Sequence, residues 1–173
     1  MKNTGGGCVP GDGNAEPEAG EVWPPSITTY SGDAKGDVKP LRTIQGGKTK
    51  LDFPMGVADD PAANEFAVAN NGDSSVLIFA RTADGNVAPV RVITGPKTGI
   101  NRPMGVAIDP VNDELWVSNF IDHSAVVFDR KANGNAAPKR IIRTAPAGTP
   151  SPGFGNPQSV AYDSKRGQIL VPN

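Results

Sequence analysis

Residues 103–119 read PMGVAIDPVNDELWVSN, and 49 positions earlier residues 54–70 read PMGVADDPAANEFAVAN. Aligning 27–75 with 76–124 gives 21 identities in 49 positions, where chance would give only a few. Each copy opens on a short apolar run, Met104–Ile108, and breaks at Asp109-Pro110-Val111-Asn112-Asp113, a cluster of turn formers. A second run, Glu114–Asn119, resumes the strand pattern, and after Ile121-Asp122-His123 a third follows, Ser124–Asp129. Lys131–Pro138 then reads as a hairpin loop with Asn133-Gly134 at its tip, where a positive φ is cheapest. Lys139–Arg143 closes the copy as a fourth strand, shorter and more charged, as suits an outer edge.

The same step of 49 links Tyr30, Phe79 and Phe128, and likewise Gly36, Gly85 and Gly134. Pro40, Pro89 and Pro138 recur with it, as do Arg42, Arg91 and Arg140. A third copy is stretched by five residues, so that Pro157-Gln158-Ser159-Val160-Ala161 lies 54 after Pro103 and Asn173 lies 54 after Asn119. The extra length falls in 144–155, which is dense in Pro and Gly and reads as a loop insertion. A period of this length with four antiparallel strands predicts an all-β chain built of β-propeller blades. The repeat region, 27–173, spans three periods and begins in third-strand material and stops in second-strand material. The expected order is third and fourth strand, two whole blades, then first and second strand. Propellers close with roughly four to eight blades. The expectation is therefore either two copies joined in a six-bladed ring or one segment of a longer propeller, with open edges at 27–30 and 168–173 driving self-association or assembly.

Composition agrees. Glycine (21) and proline (17) make up about 22% of the 173 residues, against roughly 12% in an average protein. Sixteen valines and ten isoleucines face only five leucines, a β-branched excess that suits a pleated surface and argues against a helical bundle. A net charge of −1 is no broad footprint for nucleic acid. No apolar run approaches the ~20 residues of a membrane helix. One cysteine, Cys8, permits neither an internal disulfide nor a two-thiol metal site, and one histidine, His123, leaves no His-rich metal centre in a single chain.

Residues 1–26 stand apart: six Gly, four Pro, four acids against one Lys, and only two large aliphatics, Val9 and Val22. Such a stretch is expected to form a flexible arm, because it buries too little to offset the entropy of ordering it. It lacks the apolar core of a secretory signal. Gly6-Gly7-Cys8 followed by an acidic Gly/Pro tether nevertheless resembles the mature start of a bacterial lipoprotein, which marks Cys8 as a candidate lipid-attachment site; the alternative is an ordinary thiol in a loose tail.

The strings Pro103–Asn119, Val126–Asp129 and Gly134–Ile141, with near copies at 54–70, 76–79 and 85–93 and a partial one at 157–173, resemble NHL-repeat and YVTN-type β-propellers over about 85% of the chain. That resemblance implies a propeller scaffold. Family members include protein- and RNA-binding modules, extracellular scaffolds, and a few lactonases and lyases, so it leaves function open.

Residues that recur at every period are read as parts of the blade. Asp60, Asp109 and Asp163 cap turns, the alternative being a ring of metal-binding acids. Asn70, Asn119 and Asn173, beside Asp73 and Asp122, bind loop backbone, the alternative being a calcium site. Gly56 and Gly105 allow inner strands to approach closely. Residues that break the period carry the functional expectation. Trp116 stands where the other copies have Ala67 and Leu170, His123 replaces Ser74, and Phe120 and Ile121 replace Asn71 and Gly72. Trp116, Phe120, Ile121 and His123 are thus candidates for a protein-contact patch, while Trp116 alone also suits a filler between blades. Neither a nucleophile elbow nor a zincin motif is present. The expectation is a non-catalytic binding or scaffold protein, extracytoplasmic and without cofactor. A calcium-dependent lactonase or lyase is the alternative.

Overall fold

A computed structural model describes residues 23–146, 148–149 and 157–172. Cys8, Asn173, most of the arm and most of the 144–155 insertion lie outside the described residues. Among the described residues twelve strands form four antiparallel sheets in chain order. The first sheet pairs β1 (Ser26–Thr29) with β2 (Arg42–Gln45). Two whole blades follow: β3 (Pro54–Asp60), β4 (Glu65–Asn70), β5 (Ser75–Ala80) and β6 (Arg91–Ile93), then β7 (Pro103–Asp109), β8 (Glu114–Asn119), β9 (Ser124–Asp129) and β10 (Arg140–Ile142). The last sheet pairs β11 (Ala161–Asp163) with β12 (Gln168–Leu170). These are β-propeller blades, third and fourth strand first, first and second strand last, as the repeat predicts.

The blades stack through their faces, not their edges. Alternate residues of β4 and β8 point to opposite neighbours, the period-two consequence of a pleated strand. Ala67, Ala69 and Ile78 of the first whole blade meet Val106, Leu115, Val117 and Phe128 of the second, all buried. On the other side Val68, Leu77 and Phe79 pack on Ile44 and Leu51. The inner strands come closest at glycine. A Cβ on Gly56 would stand 2.7 Å from the Met104 carbonyl oxygen, and one on Gly105 2.7 Å from the Ser159 Cα. Both clashes are with backbone, so only a residue without a side chain lets β3 meet β7 and β7 meet β11.

One stitch between blades is not a hairpin feature at all. The Gly134 N–H donates to the Val92 carbonyl (2.7 Å), and the Thr94 N–H donates to the Gly134 carbonyl (3.1 Å). Gly85 does the same on the preceding sheet, accepting from Gln45 and donating to Thr43. The Asn135 and Asn86 side chains then accept from the Lys97 and Lys48 N–H groups, each at 2.8 Å. In both whole blades the third-to-fourth-strand loop is therefore bonded to the outer strand of the sheet before it. Gly134 has φ 63° and Gly85 68°, the left-handed turn expected at the loop tip.

Candidate functional site

The recurring acids and amides bind backbone. Asp60 Oδ1 accepts the Ala63 N–H (3.1 Å); Asp109 Oδ1 accepts those of Val111 and Asn112; Asp163 Oδ1 accepts those of Lys165 and Arg166. Asn70 Oδ1 accepts the Asp52 N–H (2.7 Å) while its Nδ2 donates to the Lys50 carbonyl (3.0 Å). Asn119 repeats this on Asn101 (3.0 Å) and Gly99 (2.7 Å). Asp73 takes a bond from Asn70 and Asp122 one from Asn101. The oxygens that would build an acid-and-amide cation site thus hold turns and loops in place. At Asp109, burial pushes the carboxyl up, but hydrogen bonds from the Asn112 side chain and N–H, the Tyr162 hydroxyl and the Val111 N–H outweigh it and keep the carboxyl below its ordinary range.

Charge pairs tie the blades as well. Arg91 forks onto Glu65 (2.8 and 2.7 Å), and Arg140 onto Glu114 (both 2.6 Å), the planar pairing in which Arg and carboxylate match best. Lys139 adds a third contact to Glu114 at 2.8 Å. Hydrogen bonding from Arg140 is the chief cause that holds the Glu114 carboxyl below its ordinary value, burial opposing it. Arg130 crosses between blades, its Nη1 donating to both Asp60 oxygens (3.0 and 2.9 Å) and its Nε to Asp113 (2.6 Å). The cavity that Asp60, Glu65, Arg91 and Arg130 help to line holds about 10 Å³, room for one water and no substrate. Sequence reading missed these pairs. Their signal was available, since Glu65 and Glu114 recur at the same step as Arg91 and Arg140.

The four period-breaking residues do not gather in one patch. Trp116 is 8% exposed and packs with Ala107, Ala125, Val127 and Val160 between the second whole blade and the last sheet. The Arg140 guanidinium lies 5.0 Å from its ring centroid, a cation–π contact that Ala67 cannot offer Arg91. Trp116 is thus the filler between blades. Phe120, Ile121 and His123 share the β8–β9 turn, where Ile121 is 53% exposed and the other two are half-buried. That turn lies at the same end of the blades as the connections leading into β3 and β7. The Phe120 N–H donates to the Arg102 carbonyl, and the Asn71 N–H to the Phe53 carbonyl. Phe53 is 69% exposed, a neighbour of this turn region that the period alone did not single out. His123, Phe53 and Arg102 all have positive φ, at 47°, 53° and 49°.

The class of protein this architecture defines is a β-propeller, built of repeating four-strand blades. The structure is similar to that of Kuenenia stuttgartiensis hydrazine synthase, with a TM-score of 0.52, 19% identity, and 72% of this chain covered against 30% of that one. It is equally similar in score to a chain of a nidogen/laminin complex, at 14% identity, covering 75% of this chain and 44% of that one. The chain therefore spans less than half the length of either neighbour, and the likeness shows the fold alone. No protein-family model matches the sequence, and no curated protein does either.

Proposed function

We propose that this chain belongs to a non-catalytic β-propeller scaffold of the NHL or YVTN type, which binds protein through the blade end carrying Phe53, Arg102 and Ile121. One observation carries the reading. At the position before the inner strand, both whole blades hold a large side chain on left-handed backbone, Phe53 in one and Arg102 in the other. Left-handed backbone costs a side-chain-bearing residue about 1 kcal/mol that glycine would not incur. Such strain is kept where the side chain serves. An exposed phenyl ring, a guanidinium and the Ile121 tip are the residue types that anchor protein interfaces. The open strand edges make the same scaffold prone to pairing with further repeats or with a second copy. An extracytoplasmic location, with lipid on Cys8, belongs to the same proposal and draws on the Gly-Gly-Cys start and the acidic tether. The two structural neighbours, one named as an enzyme and one as a complex of two proteins, do not decide the function, since one fold hosts many.

A photo-crosslinking residue placed at Ile121, at Phe53 and, as a control, at Val111 tests the loop end. Val111 is 72% exposed at the opposite end of the blades. In native extract the first two positions are expected to yield one and the same discrete adduct and Val111 none. Equal labelling at Val111, or no adduct at Ile121 and Phe53, overturns the reading.

A further inference from the structure

The first sheet holds a gap shaped for specific strands. In both whole blades the third strand lies between the second and the fourth; among the described residues β1, the third-strand equivalent, pairs with β2 alone. A groove of about 430 Å³ runs along it, lined among others by Thr29, Tyr30, Arg42, Val57 and Phe66. Its walls carry side chains that the rest of the repeat buries. Tyr30 is 49% exposed where Phe79 and Phe128 are fully buried, and Val57 is 55% exposed where Val106 is 4% exposed.

The charges are more specific than the apolar walls. Arg42 occupies the repeat position of Arg91 and Arg140, and its pairing with Thr29 matches that of Arg91 with Ile78. Those two arginines fork onto Glu65 and Glu114, each the first residue of a second strand. Among the described residues the Arg42 side chain has no such carboxylate; its Nε is buried and unpartnered as that of Arg91 is, so what sets Arg42 apart is the empty place opposite its two terminal nitrogens. The register supplies the rest. Glu65 stands opposite Ala80, whose counterpart beside β1 is Ser31.

We propose that this groove receives an antiparallel pair of strands of the first-and-second-strand type, with a glutamate opposite Ser31 forming a forked ion pair with Arg42. The choice excludes one ready occupant. In the last sheet the residue at this repeat position is Gln168, 54 after Glu114, and an amide cannot supply the paired acceptors that a guanidinium fork needs. The groove thus selects against the β11–β12 sheet of a second copy and for a repeat that keeps the acid. This rests on the edge-pairing part of the proposal above, narrows it at this edge to a repeat that keeps the acid, and is independent of the loop end.

Three synthetic peptides test it against the 173-residue chain: residues 103–119, the same peptide with Glu114→Gln, and residues 157–173. Affinity is read by fluorescence anisotropy, and the place of binding by amide chemical shifts at Thr28–Tyr30. The peptide with glutamate is expected to bind at least about tenfold more tightly than either glutamine peptide. The preference should vanish in Arg42→Ala and partly return in Arg42→Lys, which keeps the charge without the fork. In Arg42→Glu, a Glu114→Lys peptide should bind best, a readout that does not depend on Arg42→Ala folding well. Equal binding of glutamate and glutamine peptides at Thr28–Tyr30 would leave strand pairing intact and overturn the carboxylate selection. No binding at those amides overturns the occupant altogether. So does a stable dimer of the unliganded chain in sedimentation that is locked by a disulfide between Thr29→Cys and Leu170→Cys, since that assigns the groove to a second copy.

Discussion

The two whole blades repeat each other residue for residue over much of their length, yet the buried faces they turn to the next sheet differ. The first blade presents Ala67 and Ala69 to its neighbour; the second presents Trp116 and Ser118 at the same positions. The first meets a complete four-strand sheet, and small residues let Val106 and Leu115 fill the space. The second meets the β11–β12 sheet, where Trp116 fills the space against Val160, Ile169 and Val171 while Arg140 covers its ring. A blade's sequence is therefore adjusted to the neighbour it faces, and the period shows what stays constant across that adjustment.

The largest effect on this comparison should come from Trp116→Ala, which makes the second blade imitate the first. Removing the ring empties the space it fills against Val160, Ile169 and Val171, and a loss of about 4 kcal/mol is expected, in the usual range for deleting a buried aromatic. Denaturant unfolding measures it; a loss under 1 kcal/mol would mean that the space between these sheets collapses freely. Next comes Gly105→Ala, whose new Cβ would meet backbone at Ser159 and Val160. It should cost about 3 kcal/mol and loosen the last sheet selectively, so that amide exchange rises at 161–163 and 168–170 before it rises in β3–β6.

The smallest of the three separates the two ion pairs. Glu114 is buried, with its side chain 4% exposed, while that of Glu65 is 21% exposed. Glu114→Gln should cost about 2 kcal/mol and Glu65→Gln about 1, since only the former leaves so buried a site. A pH titration sharpens the difference. The folded Glu114 carboxyl binds its proton less tightly than the ordinary value of 4.5, so its contribution is complete above that pH and is lost as pH falls through the lower folded value. Stability of the parent chain should therefore fall on acidification below pH about 4.5 more steeply than that of Glu114→Gln.

Much of this was legible in advance. The second and third strands of the second blade, Glu114–Asn119 and Ser124–Asp129, fall where periodicity and turn residues put them. The first and fourth differ by a residue at each end, Pro103–Asp109 against 104–108 and Arg140–Ile142 against 139–143. β1 begins at Ser26, one residue inside the expected arm. Glycine at 56 and 105, and aspartate at 60, 109 and 163, do what their recurrence implies, because close approach and turn capping are local demands that few residue types meet. The candidate patch is another matter. Trp116 stands four residues from Phe120, a spacing that would put both on one face of an unbroken strand, but β8 ends at Asn119 and Phe120 belongs to the turn beyond it. Proximity in the chain therefore says little about proximity in the blade.

Periodicity by itself determined the four-strand blade, the order of the sheets and the inner-strand glycines, because those depend on the side-chain period of two and on turn chemistry that a few residues encode. Tertiary structure decided which neighbour each face meets. It bonded Gly85 and Gly134 to the preceding blade, set Arg130 across to Asp60, sealed Trp116 away and left Arg42 beside an open groove. These contacts join residues tens of positions apart, and only the stacking of one blade on the next brings them within reach.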